Sequence, residues 1–382
     1  MSRTATALLS GVLYACVSPP PAAPDAALDA ASRDAVEPVD AAAAPDAPGP
    51  AAWCLPTTID ASDAGAVNQI LVGRSGPMVV YQMTPASRRS ELRLATAHAG
   101  GWQVETLAVG TDTGMASRLD AVSDGDLWVA YAGSDGLVQL AHRAEAGAWT
   151  TTTVPIPRDH LGVNGVALVV HEGVPAVAVV SSWPERHLSL WRWGSAGVEA
   201  VAAGPVTGVD LATTSDGELA IAYTTEREVA VARPGEAGWS ITRIPAADAL
   251  RPALTATARG LWLAFDRLPV DGVHSTTIVE LGPDGVVAQL ERPGLSGLGF
   301  AVTAADPPAL LVRGARSRGG AGIVRAGTAV GAPEWITPAF VTAASMVGDA
   351  AGGEHVALHN WNVGVLGYTQ HTCGGSSPPA VR

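Results

Sequence analysis

An aromatic or β-branched residue opening a short extended run recurs along this chain at nearly constant spacing, and any fold has to accommodate that period first. The markers Trp53, Trp102, Trp149, Val198, Trp239, Val286 and Trp335 lie 49, 47, 49, 41, 47 and 49 residues apart. Periods of about 40 to 50 residues belong to chains built from repeated supersecondary units, none of which can bury its apolar face alone. The runs feeding the markers are alike: Leu92-Arg93-Leu94-Ala95-Thr96 leads to Gly101-Trp102, Val138-Gln139-Leu140-Ala141-His142 to Trp149, and Val229-Ala230-Val231-Ala232-Arg233 to Gly238-Trp239. Each reads as a strand, a tight turn and a second strand.

A further hairpin precedes each pair: Met78 to Gln82 follows Ser75-Gly76-Pro77, Leu127 to Ala132 follows Ser123-Asp124-Gly125, and Leu219 to Thr224 follows Ser215-Asp216-Gly217. Four antiparallel strands per repeat make a propeller blade, and seven markers make seven blades. Strand runs that mix Val, Ile, Leu and Ala fit sheets covered on both faces, and Tyr81, Tyr131, Tyr223 and Phe265 occupy equivalent points of the second strand. Trp53 precedes every complete repeat, whereas Val341 to Thr372 supplies only three strands, so the N-terminal strand is expected to complete the last blade. Cys54 on that strand and Cys373 at the end of its neighbour should then face each other closely enough for a disulfide. Closing a loop of 319 residues this way is worth on the order of 5 kcal/mol as an upper figure; the alternative is two unpaired buried thiols.

The repeat resembles the seven-bladed propellers of the sialidase-like and bacterial lectin-like groups over residues 53–373. This implies an all-β ring with a ligand face and specifies activity weakly. A sialidase-like glycosidase or lyase would need an arginine cluster, a tyrosine nucleophile with a glutamate, and an acid. Arg118, Arg251 and Arg313 are available for the arginine cluster. Ser123-Asp124-Gly125-Asp126-Leu127-Trp128 falls at the first hairpin, where Asp-Gly is ordinary turn chemistry.

The N-terminus reads as an export segment. Arg3 precedes an apolar run from Ala5 to Leu13, too short to span a bilayer. Leu13-Tyr14-Ala15-Cys16 then resembles the lipobox of bacterial lipoproteins, which implies a signal peptide over 1–15 and lipid on Cys16; a simple cleaved secretory signal is the alternative. Residues 16–52 are dominated by Ala, Pro, Asp and Ser, too poor in bulky apolar side chains to fold, and fit a tether. The propeller would occupy 53–373 and a short tail 374–382. Exported and lipid-anchored in the cell envelope, such a chain is expected to be monomeric.

Composition narrows the partners. The formal net charge is -13 and all 23 basic residues are arginine, so no basic stripe is present to neutralise phosphates and nucleic acid is not an expected partner. Three cysteines without a Cys-x-x-Cys pair, and nine dispersed histidines, point to neither metal nor cofactor. His355 and His359 would sit about 13 Å apart along one strand face.

In a propeller the loops joining second to third strands, and blade to blade, share one face. Here they carry the ligand-binding candidates Arg88, Arg89, Trp183, Glu185, Arg186, His187, Arg227, Asp266, Arg267 and Trp361, with Arg251 beside them. Tryptophan can stack on a sugar and arginine can pair with carboxylates. The expected function is therefore a non-catalytic binding or interaction propeller with a glycan or envelope protein on that face. An envelope-assembly scaffold and a glycosidase stand as alternatives.

Overall fold

The computed structural model describes residues 53–62, 64–73, 75–83, 90–110, 120–123, 126–133, 135–144, 147–157, 161–183, 186–268, 274–301, 308–314, 320–326, 333–337, 341–349, 352–360 and 363–371. Every regular element among them is a strand, and the strands form seven four-stranded antiparallel sheets. Six blades are continuous in sequence, spanning 64–110, 120–153, 161–202, 208–245, 249–293 and 295–337. Blade 7 is composite: Ala343–Gly348, Glu354–Asn360 and Val365–Gln370 are completed by Thr57–Asp60, in register Thr57↔Tyr368 and Thr58↔Gly367. The protein is a seven-bladed β-propeller.

The periodic markers fall where the fourth strand of each blade opens. Trp102, Trp239, Val286 and Trp335 are second residues of Gly101–Gly110, Gly238–Pro245, Gly285–Pro293 and Glu334–Thr337. Trp149 and Val198 immediately precede Thr150–Thr153 and Glu199–Ala202, while Trp53 bridges His371 ahead of Thr57–Asp60. Trp53, Trp102, Trp149 and Trp239 each pack partly buried against a core between blades. Trp335 is half-exposed and lies over Gly314 and Gly322 of its own blade, where any β-carbon would crowd the ring.

First strands of consecutive blades touch one another round the whole circle, including blade 7 against blade 1. Behind them the core divides into seven apolar clusters, each filled by two neighbouring blades. Strand alternation sorts the side chains. Tyr81, Tyr131, Tyr223 and Phe265, all buried, point into the seam with the preceding blade, while Ala130, Ala222 and Ala264 beside them face the following one. Large side chains from one blade thus meet small ones from the next, which is how sheets interlock without voids. Burying each aromatic ring contributes roughly 1.5–3 kcal/mol.

Polar clamps cross the same seams. Asp210 of blade 4 accepts a hydrogen bond from the Leu254 backbone N–H of blade 5 at 2.7 Å. Asp266 of blade 5, 5% exposed, accepts from Ser296 Oγ (3.0 Å) and the Gly297 N–H (2.5 Å) of blade 6 and from Thr276 Oγ1 (3.0 Å) of its own blade. Arg325 of blade 6 grips the buried Glu354 of blade 7 with two guanidinium nitrogens, at 2.6 and 3.0 Å.

The closing strand is tied on both sides. Cys54 N donates to Gln370 O at 3.0 Å, and Thr369 Oγ1 donates to Cys54 O at 2.6 Å. Beyond its own sheet, Asp60 accepts from Tyr81 Oη at 2.7 Å and Arg93 Nη1 at 3.0 Å, both in blade 1. The Trp53 indole donates to Glu334 Oε1 of blade 6 at 2.9 Å. The closing strand and the residues just before it thus contact blades 1, 6 and 7.

Asp60 and Asp266 should report their seams through opposite pH dependence. Burial pushes the Asp60 carboxyl up, but hydrogen bonds from Ser62 and Tyr81 and the Arg93 guanidinium outweigh it and hold it below 3.8, the ordinary value. Its stabilisation is present above that value and is lost as pH falls through the lowered pKa. For Asp266 burial wins over its hydrogen bonds and raises the pKa above 3.8, so its favourable contribution is present below 3.8 and fades as pH rises through the raised pKa. Asp60→Asn is expected to cost about 1–2 kcal/mol at pH 7, the deficit shrinking towards pH 3. Asp266→Asn should equal or exceed the parent at pH 7 and lose any advantage as pH drops. Urea unfolding across that range checks both; gaps that move in the same direction overturn the assignment.

Candidate functional site

The topology assigns loops to faces. The turns between second and third strands and between blades lie at one end of every sheet, here the loop face; the hairpins within each blade's first and second halves lie at the other. Arg88, Arg89, Glu185 and Trp361 lie outside the described residues, and of Trp183 only the backbone is described, at the loop-face end of Val174–Trp183. Arg186 is exposed and His187 half-buried in blade 3, where the His187 N–H donates to Ser181 Oγ at 3.0 Å.

Blades 4 and 5 bring the other candidates together. Backbone bonds stitch their loops into one layer: Ala246 N to Arg227 O (3.0 Å), Asp248 N to Glu226 O (3.2 Å) and Leu268 N to Asp248 O (3.4 Å). Asp248 and Arg251 hold the left-handed conformation, with φ of 57° and 51°, a strain of order 1–3 kcal/mol each for ordinary side chains that persists where surrounding structure over-determines it. On this layer Arg227 and Arg251 are exposed and Arg267 is half-exposed. Arg251 Nη1 lies 4.0 Å from Asp266 and Arg267 Nη1 lies 3.7 Å from Glu291, which also accepts from Ser275 Oγ at 2.8 Å. Arg251 stands near the start of a first strand, Ala249–Thr257, in the innermost circle of strands. Asp266 itself points inward as the clamp between blades 5 and 6, and its part here is to hold the ground beneath Arg251.

The layer therefore presents guanidinium donors on a backbone fixed by its own hydrogen bonds, suited to carboxylate or hydroxyl acceptors. A tyrosine-based hydrolysis finds the opposite of what it needs. Tyr81, Tyr131, Tyr223 and Tyr368, every tyrosine among the described residues, are buried, and burial first of all pushes each phenol upward, whereas a nucleophile needs an accessible, readily ionised group. His355 and His359 are separately engaged, the first with Asp349 (3.0 Å) and Tyr368 (2.7 Å), the second with Thr342 (2.8 Å).

Sequence reasoning missed a second cluster, on the hairpin face between blades 2 and 3. Trp128 stacks on His142 with ring centroids 3.7 Å apart and meets Trp193 edge-on at 5.1 Å; Trp193 meets Trp191 edge-on at 5.8 Å. Asp126, half-exposed, lies 3.5 Å from His142 Nε2. Trp191 is buried and donates its indole N–H to Ser195 O at 3.1 Å, while Trp193 is 39% exposed. Trp191-x-Trp193 does place two tryptophans on one face of an extended chain, but their meeting with Trp128 depends on which blades are neighbours.

No family model and no curated protein matches the chain. Among solved structures, the BP39L lectin from Burkholderia pseudomallei superposes with a TM-score of 0.59 at 14% identity, covering 85% of this chain and 100% of its own. The structure of BBS1N in complex with ARL6DN, soaked with mercury, superposes with a TM-score of 0.55 at 12% identity, covering 85% of this chain and 98% of its own. At such identities the likeness is one of fold, and in fold this chain is similar to both.

Proposed function

We propose that this protein is a non-catalytic carbohydrate-binding propeller, exported, anchored in the cell envelope through lipid on Cys16, and engaging glycan on its loop face. The observation that carries the binding reading is the stitched layer of blades 4 and 5, where Arg227, Arg251 and Arg267 are presented on strained, hydrogen-bonded backbone. The lectin nature of a neighbour that shares the whole ring supports the choice of sugar. The lipobox-like Leu13-Tyr14-Ala15-Cys16 and the Ala/Pro/Asp-rich stretch after it support export and anchoring, and both lie outside the described residues. In that compartment Cys54 and Cys373 would be oxidised to each other; Cys373 also lies outside the described residues, two positions after His371, which pairs with Trp53.

A protein partner on the same face is the second reading, favoured by the BBS1N structure, which is that of a complex with ARL6DN. An envelope-assembly scaffold would be of this kind.

Screening the full chain against an array of acidic and neutral glycans separates these. Binding is expected for at least one carboxylate-bearing or hydroxyl-rich glycan, weakened tenfold or more by Arg251→Ala combined with Arg267→Ala. Silence from folded protein, together with co-purification of an envelope protein, overturns the glycan reading in favour of the second. Labelling cells with a radioactive fatty acid tests the anchor: incorporation is expected and should vanish in Cys16→Ser, and label that persists in the variant refutes it. Peptide mapping without reductant should recover the Cys54 and Cys373 peptides joined.

A further inference from the structure

We propose that the aromatic shelf between blades 2 and 3 is a second carbohydrate site, on the hairpin face, where the exposed face of Trp193 receives the apolar face of a neutral pyranose and Asp126 accepts hydrogen bonds from its hydroxyls. The inference rests on the reading of this protein as a glycan binder but not on the loop-face arginines.

The rings already touch. Centroids 5.1 and 5.8 Å apart in edge-to-face geometry are at packing distance, so no guest fits between them and an ammonium cage, which needs a gap lined by several rings, is excluded. What the cluster offers is an outward face. Trp191 fills the seam and satisfies its own indole N–H, and His142 covers Trp128. Trp193 is braced edge-on by both neighbours and is left 39% exposed. A large flat ring held rigid from behind loses little entropy when something lies against it.

The sequence around it is unlike the other hairpins. At the turn from third to fourth strand, blades 1, 4 and 5 carry His98-Ala99-Gly100, Gly235-Glu236-Ala237 and Gly282-Pro283-Asp284, whereas blade 3 carries Trp193-Gly194-Ser195. Blade 3 also has Val198 where most blades have the marker tryptophan. Its tryptophans are thus placed at the end of the third strand, where Val198 and the partly buried Trp128 already fill the seam core, so packing does not require an exposed Trp193.

The surroundings select the ligand. A net charge of -13 and the carboxylate of Asp126, half-exposed and 3.5 Å from His142, disfavour an anion. The ring face carries the negative lobe of the indole quadrupole, which attracts the electropositive C–H groups on one face of a pyranose, and the Asp126 carboxylate, linked to Trp193 through His142 and Trp128, accepts hydroxyl protons well. One ring against one sugar makes a weak site, with a Kd on the order of 1 mM.

Fluorine NMR of the full chain labelled with 5-fluorotryptophan reads the site directly. The chain has 11 tryptophans, and the Trp193 resonance is assigned by its absence from Trp193→Phe. Titration with cellotetraose or chitotriose should shift that resonance saturably, with a tenfold weaker response in Asp126→Asn and an unchanged one in Arg251→Ala. Because Trp193 is an exposed side chain, Trp193→Phe is expected to fold normally and, in the Arg251→Ala, Arg267→Ala background where the loop face no longer contributes, to retain binding measured by saturation-transfer NMR within about threefold, while Trp193→Ala in that background loses it. A Trp193 resonance that moves with choline chloride and with neither sugar overturns the ligand class, and one that moves with none overturns the site. Neither result touches the loop-face reading, which stands or falls with the arginine variants on the array.

Discussion

A blade of this ring is a sheet with two apolar faces, so it is stable only between two neighbours. Every one of the seven seams must be filled for any to be secure, and the seam most at risk is the one where the chain has to meet itself. Here the burden falls on four residues, Thr57–Asp60, and on what surrounds them. They add the fourth strand to blade 7, but Asp60 reaches into blade 1 through Tyr81 and Arg93, and Trp53 reaches back into blade 6 through Glu334. Closure is thus a junction of three sheets in place of a single pairing. The buried Glu354 and its two-pronged Arg325 strengthen the seam beside it.

The ring was readable in the sequence because its cause is periodic. A large residue that opens an outer strand recurs once per blade, tryptophan in five and valine in two, and an aromatic that fills a seam recurs on the same face of four second strands, so Trp102, Trp149 and Trp239, and Tyr81, Tyr131, Tyr223 and Phe265, announce themselves by spacing alone. Counting them also placed Trp53 in the last blade. Polar residues obey no such rule. Asp266 has the look of a loop-face ligand, since it ends a strand next to an arginine, but at that position the alternation turns it into the seam, where Ser296 and Gly297 of the next blade meet it. Whether a strand-end carboxylate faces water or a neighbour depends on one residue of register.

The shelf at blades 2 and 3 was invisible for a different reason. Trp128 and Trp193 are far apart in sequence and come together only because those two blades are adjacent and because their hairpins lie at the same end. No local pattern encodes that. The stitched loops of blades 4 and 5 are similar: the arginines are plain in the sequence, but the backbone bonds through Asp248 that fix them, and the left-handed conformation of Arg251, are products of how tightly those two blades approach. Repetition therefore writes the scaffold, and departures from repetition write the places where a ligand has something to hold.

The composite blade also fixes an order of events. Thr57 and its partner Tyr368 are 311 positions apart, so the first strand of the ring to be made spends the synthesis of six blades as a bare edge, while each of those blades pairs only within itself. An unpaired edge can recruit a foreign strand, and contacts this distant in sequence form late. The last step of folding is then the capture of the oldest strand by the newest sheet, and the time before that capture is when the chain is most exposed to pairing with another copy of itself.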